Sequence, residues 1–283
     1  MSEPLPEAQV SDFLLNDGHT IPAIGLGTSE LTGEAGVEAI AAGISNGYRL
    51  LDTAVNYDNE VEVGQAVAAG GVEREQLLVS NKVPGRHHGF EETVASTQES
   101  LARLGLDRLD LHLIHWPNPS VDRYVDTWRG LIDAQQRGLV RSIGVSNFTE
   151  PMLERLIDET GVTPAVNQVE LHPYFPQPEL LTFHRALGIR TQSWAPLRRA
   201  GSLLSEPVII DIAKRHEVVP SEVVLRWHHE LGSVPLPKSA DPARQLLNLD
   251  IFDFALEPGE VEAISGLAQG RMQDRDPNAH EEM

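Results

Sequence analysis

Lysine is scarce in this chain, with three among 22 basic residues, and two of the three stand where proton chemistry needs a primary amine. Lys82 closes the run Leu78-Val79-Ser80-Asn81-Lys82, and Lys238 sits in Leu236-Pro237-Lys238-Ser239. Arginine fills the remaining cationic positions. A guanidinium hardly deprotonates and is a wide planar fork, so it cannot replace an ammonium that shares a proton. The third lysine, Lys214, lies on an ordinary amphipathic stretch. Polar or aromatic residues close the other apolar runs as well: Asp52, His115, Ser146 with Asn147, Gln168, Trp194, and Ser239 beside Lys238. Each alone is the kind of residue that caps a helix or makes a turn. Seven of eight runs ending this way is hard to obtain from caps alone. These residue types make a proton-transfer group and an amide-recognition site.

The runs that carry them alternate with amphipathic stretches. Strands are expected at Ala23–Gly27, Tyr48–Asp52, Leu77–Lys82, Leu109–His115, Val140–Ser146, Ala165–Val169, Ile189–Trp194 and Ser233–Leu236. Helices are expected at Gly36–Asn46, Glu60–Ala69, Phe90–Leu104, Val121–Arg137, Pro151–Glu159, Pro178–Leu187, Pro207–Glu217, Pro220–Glu230 and Pro242–Leu249. Phe13–Leu15 and Thr20–Pro22, joined through Asn16-Asp17-Gly18, read as a β-hairpin ahead of the first barrel strand. Strand–helix alternation favours a parallel α/β sheet. Eight units in one chain of 283 residues fit a closed (β/α)8 barrel, read as a single domain over residues 1–283. A dinucleotide-binding half would want G-x-G-x-x-G after its first strand, and Gly25-Leu26-Gly27-Thr28-Ser29-Glu30 lacks the third glycine. In such a barrel all strand C-termini open on one face, so the polar strand ends converge there.

The net charge of −20 argues against nucleic acid and anionic membranes as partners, because a negative field repels both. No apolar run approaches the roughly 20 residues of a membrane span, and Met1-Ser2-Glu3-Pro4 lacks a signal-peptide layout. With no cysteine there is no disulfide, thiolate nucleophile or zinc-thiolate site. A cytoplasmic monomer is the default expectation. Glu281 and Glu282 have the look of a solvated tail. His112 and His115 point to opposite faces of their strand, which argues against a two-histidine metal site. His228 and His229, adjacent on a helix, read as surface or packing residues. His87-His88 read as a solvated loop, with the pocket rim as the alternative.

The segment Gly47-Tyr48-Arg49-Leu50-Leu51-Asp52-Thr53-Ala54-Val55-Asn56-Tyr57-Asp58-Asn59-Glu60 resembles the aldo-keto reductase signature at all its fixed positions. Leu131 through Phe148, ending Arg141-Ser142-Ile143-Gly144-Val145-Ser146-Asn147-Phe148, resembles a second family block. Leu236-Pro237-Lys238-Ser239 with Arg244 resembles a third. Asp110 to Pro117 and Asn167 to Pro173 match others, so the likeness spans practically the whole chain. Trp194-Ala195-Pro196-Leu197 and the short length look most like bacterial reductases of the 2,5-diketo-gluconate type.

The resemblance implies an NADPH-dependent carbonyl reductase without a metal. Tyr57 would donate the proton, Lys82 would lower its pKa, Asp52 would position Lys82, and His115 would orient the substrate carbonyl. A phenol with a pKa of about 10 can donate at neutral pH, more readily where an ammonium stabilises its phenolate. Ser146, Asn147 and Gln168 would hold the nicotinamide carboxamide, and Trp194 would stack on its ring, with a core tryptophan as the alternative. Leu197 would lie against the cofactor. Lys238, Ser239 and Arg244 would clamp the 2′-phosphate of NADPH/NADP+, and Asn248 would serve the adenine or ribose side. Leu247 stands where the family pattern expects a small or polar residue. Arg198 and Arg199 would reach the pyrophosphate or stand as solvated loop charges. Trp116, Tyr124, Trp128 and the Arg198–Glu206 loop would line the substrate pocket. A short C-terminal segment after Phe254 suggests an open pocket for small aldehydes, α-dicarbonyls and keto-sugars. Two other readings compete. A redox-sensing NADPH-binding ancillary protein would turn over under about once per minute. A Schiff-base aldolase on Lys82 would be trapped by borohydride and would not bind nicotinamide.

Overall fold

The computed structural model describes residues 12–272 and 275–283, so the reading of Met1-Ser2-Glu3-Pro4 lies outside the described residues. Eight strands pair in parallel, each with the next in the chain: β3 (Leu26–Gly27), β4 (Leu50–Asp52), β5 (Leu78–Val83), β6 (Leu109–Ile114), β7 (Val140–Ser146), β8 (Val166–Glu170), β9 (Arg190–Trp194) and β10 (Val234–Pro235). The ends join as well. Gly25 N donates to Pro235 O at 3.0 Å and Gly27 N to Pro237 O at 3.1 Å, which closes the sheet into a (β/α)8 barrel. A Cβ on Gly27 would lie 3.0 Å from Leu236 O, so any side chain there would press on the seam. The last strand is shorter than its apolar run because Pro235 and Pro237 have no N–H to donate, although their carbonyls still accept.

Helices α1 (Gly33–Asn46) to α9 (Pro242–Leu249) surround the barrel, including α2 (Glu60–Ala69), α3 (Phe90–Leu104), α4 (Tyr124–Gln136) and α8 (Pro220–Glu230). The expected helix from Val121 begins three residues later, at Tyr124. Asp122, at φ 52°, occupies the left-handed region and cannot open a helical turn. A further helix, α10 (Pro258–Ser265), was not expected from the sequence, although Pro258 at its first position and the Glu260 carboxylate accepting from Glu257 N at 3.0 Å are start signals. The antiparallel hairpin β1 (Asp12–Leu14) and β2 (Thr20–Pro22) sends Leu15 and Ile21 into one cluster with Leu50, Leu111, Leu113, Val166 and Val234. Those residues fill the barrel from its N-terminal end and leave the polar strand ends at the other. Among the described residues no helix is long and apolar enough to cross a membrane.

Candidate active site

Asp52 ends β4, and the chain then turns through a 3-10 segment, Val55–Tyr57, with Asp58 at φ 51° closing it. Asn59 holds this turn from beneath. It is fully buried, accepts from Thr53 Oγ1 at 2.7 Å, and donates to Thr28 O at 2.7 Å and Leu31 O at 3.0 Å. Sequence reasoning assigned Asn59 and Thr53 no work beyond matching a motif, yet together they aim Tyr57. The next strand brings in Lys82. Its Nζ donates to Asp52 Oδ2 at 2.7 Å, Thr53 O at 2.8 Å and Tyr57 Oη at 3.4 Å. Three acceptors satisfy all three ammonium hydrogens of a side chain with no solvent exposure. Asp52 is held in turn by Gln168 Nε2, 2.8 Å from Oδ1.

Burial works to lower the pKa of Lys82, but the Asp52 charge, Tyr57 and the hydrogen bonds to both outweigh it, leaving the ammonium more basic than usual. Lys82 lowers the pKa of Tyr57 as expected, but burial outweighs it. Its pKa lies above the ordinary phenol value: burial raises it most, Lys82 pulls it down, and Asp52 and Glu282 push it up again. An amine beside a phenol acidifies it only as far as desolvation permits. Tyr57 therefore carries its proton at neutral pH.

His115 follows β6 with its ring edge-on to that of Tyr57, centroids 5.9 Å apart. Its Nδ1 lies 2.8 Å from Glu282 Oε1, off the line of an aligned ring N–H. The expected solvated tail holds for Glu281, which is exposed, and is corrected for Glu282. Glu282 comes back over the mouth, where Asn56 Nδ2 donates to its carboxylate and Gly85 N approaches at 3.4 Å. Burial raises the Glu282 pKa, but His115, Asn56 and Gly85 N–H together bring it below the usual carboxylate value. The expected open pocket is corrected with it, because residues 280–283 cover the site. His88 is buried rather than in a solvated loop, and burial drives its pKa down to about 4.

On the adjoining wall Ser146 Oγ donates to Gln168 O at 2.9 Å, and Asn147 Nδ2 to His115 O and Ser146 Oγ, both at 3.0 Å. Trp194 Nε1 donates to Asn147 Oδ1 at 2.7 Å, which fixes the indole plane beside the amides. The ring stays partly exposed, unlike a core tryptophan. Across the seam, Lys238 Nζ pairs with Glu30 at 2.7 Å and Arg244 with Asp241 at 3.3 Å, all four with substantial exposure. Ser239 Oγ accepts from Asp241 N at 3.1 Å. Asn248 is buried, with the Tyr48 hydroxyl as its partner. Arg198 stacks over the Tyr174 ring at 4.9 Å, and Leu197 is half-buried beside it.

Trp116 stands at the mouth, 6.5 Å from the Trp194 ring and 4.2 Å from that of His280. The other two expected pocket aromatics are corrected. Trp128 is fully buried in the core between α4 and the barrel, its Nε1 donating to Val162 O at 3.3 Å. Tyr124 packs edge-on against Phe148 beneath the Arg155 guanidinium. Both lie on the inward face of α4, where an aromatic fills volume. Among the described residues no group of three or more His, Asp and Glu is placed to hold a metal ion.

Residues 23–269 match the model of the Aldo/keto reductase family. The 2,5-diketo-D-gluconic acid reductase B of Corynebacterium sp. (strain SHS752001) is 63% identical over 269 residues, covering 95% of this chain and 97% of that one. An aldo/keto reductase from Brucella melitensis superposes with a TM-score of 0.88 at 44% identity, covering 92% of this chain and all of the other. A Bombyx mori aldo-keto reductase solved in complex with NADP gives 0.89 at 34%, over 96% and 98%. With a closed barrel, a buried lysine joined to an aspartate and a tyrosine at its mouth, and relatives matched over nearly their full lengths, the chain belongs to the aldo/keto reductase family.

Proposed function

We propose that this protein reduces small aldehydes, α-dicarbonyls and keto-sugars to alcohols with NADPH, Tyr57 serving as the general acid. The observation that carries the reading is the buried Asp52–Lys82–Tyr57 chain, with Lys82 Nζ within 3.4 Å of the phenol oxygen. It is supported by the reductase names of the relatives and by the NADP complex of the silkworm neighbour. The residues fit a dinucleotide phosphate. Two exposed cations and a hydroxyl stand at one edge of the mouth, beside the glycine seam, and an oriented indole with two amides stands at the other. Lys238, Ser239 and Arg244 would hold the 2′-phosphate. Ser146, Asn147 and the Gln168 carbonyl oxygen would meet the carboxamide, and Trp194 would fix the ring face.

A bound reduced nicotinamide supplies the hydride to the carbonyl carbon. The remaining work falls to the side chains. Tyr57 donates its proton to the carbonyl oxygen as negative charge develops there, and the ammonium of Lys82 stabilises the phenolate left behind. Asp52 keeps Lys82 charged and aimed, and His115 shares the oxyanion. The raised pKa of Tyr57 keeps the acid protonated at neutral pH, and proximity to Lys82 limits the cost of releasing the proton.

The test is a panel of carbonyl compounds, including propanal, a vicinal dicarbonyl and a keto-sugar acid, followed by loss of NADPH absorbance. Turnover well above once per minute with at least one of them supports the reading. Slower turnover with all of them, despite tight NADPH binding, would overturn it in favour of the redox sensor.

A further inference from the structure

The last residues of the chain do more than cover the mouth. Glu282 enters it with both its side chain and its backbone bonded. Glu282 N donates to Asn118 Oδ1 at 3.0 Å, and Asn118 Nδ2 donates back to Glu282 O. Met283 O accepts from Asn56 Nδ2 at 3.0 Å and from Arg86 Nη1 at 3.2 Å, and Ser120 N donates to Glu281 Oε1 at 2.8 Å. The receiving surface is shaped for this strap. A Cβ on Gly85 would lie 1.8 Å from Glu282 O and 1.9 Å from Asn118 Nδ2, so no other residue leaves room for the contact. Asn118 is fully buried and sits at φ 48°, a conformation most side chains avoid. Upstream the segment is anchored independently, Met272 N donating to Glu170 Oε1 at 2.7 Å and Gly270 N to Tyr174 O at 2.8 Å. The end can therefore lift while its base stays.

The carboxylate rests on the ring that is to orient a carbonyl, and it is close enough to Tyr57 to oppose phenolate formation. A carbonyl oxygen bonded to both Tyr57 and His115 would need the volume that Glu282 fills. We propose that residues 281–283 are an intramolecular competitor of the carbonyl substrate, with the Glu282 carboxylate as anchor, and that they leave before each productive encounter. The proposal rests on the reductase reading for the identity of the displaced ligand. The contacts of residues 281–283 are polar, so water replaces them when the strap lifts, and the closed state exceeds the open one modestly. A closed-to-open ratio of about ten raises the apparent KM about ten-fold, because only the open fraction binds.

The test compares the full chain with a chain ending at His280 and with full-length Glu282→Gln. With NADPH saturating and propanal varied, KM is expected to fall roughly ten-fold on truncation and by less in Glu282→Gln, with kcat within about two-fold in both. The tetrapeptide of residues 280–283 is titrated calorimetrically without cofactor. It is expected to bind the truncated chain and not the intact one, and to inhibit the truncated chain competitively against propanal. An unchanged KM, or a KM that rises on truncation, would overturn the proposal; a rise would make the tail a wall of the pocket. Should neither protein turn over any carbonyl, the reductase reading falls, and the peptide titration alone decides whether the seat exists. Glu282→Gln keeps the test intact should the shortened chain fail to fold.

Discussion

Replacing Lys82 with methionine separates the two roles the structure gives its ammonium. At 3.4 Å from Tyr57 Oη, a unit charge pair at an effective dielectric of about 20 is worth about 5 kcal/mol, or between three and four pKa units of phenolate stabilisation. If about half of that is realised when the proton is in flight, reduction slows by on the order of 10²-fold, the lower end of what a positioned acid contributes. The same change leaves Asp52 buried with only Gln168 to compensate it, and breaking a buried pair from one side costs about 3–5 kcal/mol. Lys82→Met should therefore be slow and unstable, and the double variant Lys82→Met/Asp52→Asn slow but largely restored in stability. Urea unfolding measures the second quantity, and single-turnover NADPH oxidation the first. Turnover of Lys82→Met within about three-fold of the parent would refute the reasoning. So would recovery of rate together with stability in the double variant, since a purely structural pair would behave that way.

Other outcomes follow from the same geometry. Arg244→Ala should weaken NADPH roughly ten-fold and NADH less than two-fold, whereas Glu30→Gln, by releasing Lys238 from its carboxylate, should tighten NADPH by up to about five-fold; equal effects on both cofactors in fluorescence titrations would count against the clamp. Burial lowers the pKa of His88, His112 and His184 to about 4 and of His228 to about 3, so the unfolded chain takes up protons below pH 6.5 that the folded one refuses. That stability is fully present above about pH 6.5 and is lost as pH falls toward 4, on the order of 3 kcal/mol for each histidine; a flat unfolding midpoint across this window would contradict it. Trp128→Ala should cost about 3–5 kcal/mol in urea unfolding while leaving the substrate KM within about two-fold, and a KM effect without loss of stability would return Trp128 to the pocket.

The barrel and the Asp52–Lys82 pair were legible because short apolar runs each end in one conspicuous polar residue, and parallel closure brings such ends together. Periodicity located Trp128 and Tyr124 on a helix but could not tell an aromatic that fills its inner face from one that lines a ligand site. For Tyr57 the spacing revealed the neighbouring amine, which does pull its pKa down, but said nothing of the desolvation that pushes it up further. The tail was the least legible element. Two glutamates at a chain end look solvated, and the partners that bury Glu282 lie at Asn56, Gly85, His115 and Asn118, more than 160 residues away. The α10 helix, by contrast, carries its own start signals in Pro258 and Glu260.

Tyr57→Phe tests the central claim most directly, because it removes one oxygen from a ring that otherwise stays in place. NADPH affinity by fluorescence titration and hydride transfer to propanal in a single turnover are measured on the same preparation. The expected result is unchanged cofactor affinity with transfer slowed by at least about 10²-fold. Transfer at the parent rate with cofactor bound would show that the proton comes from elsewhere.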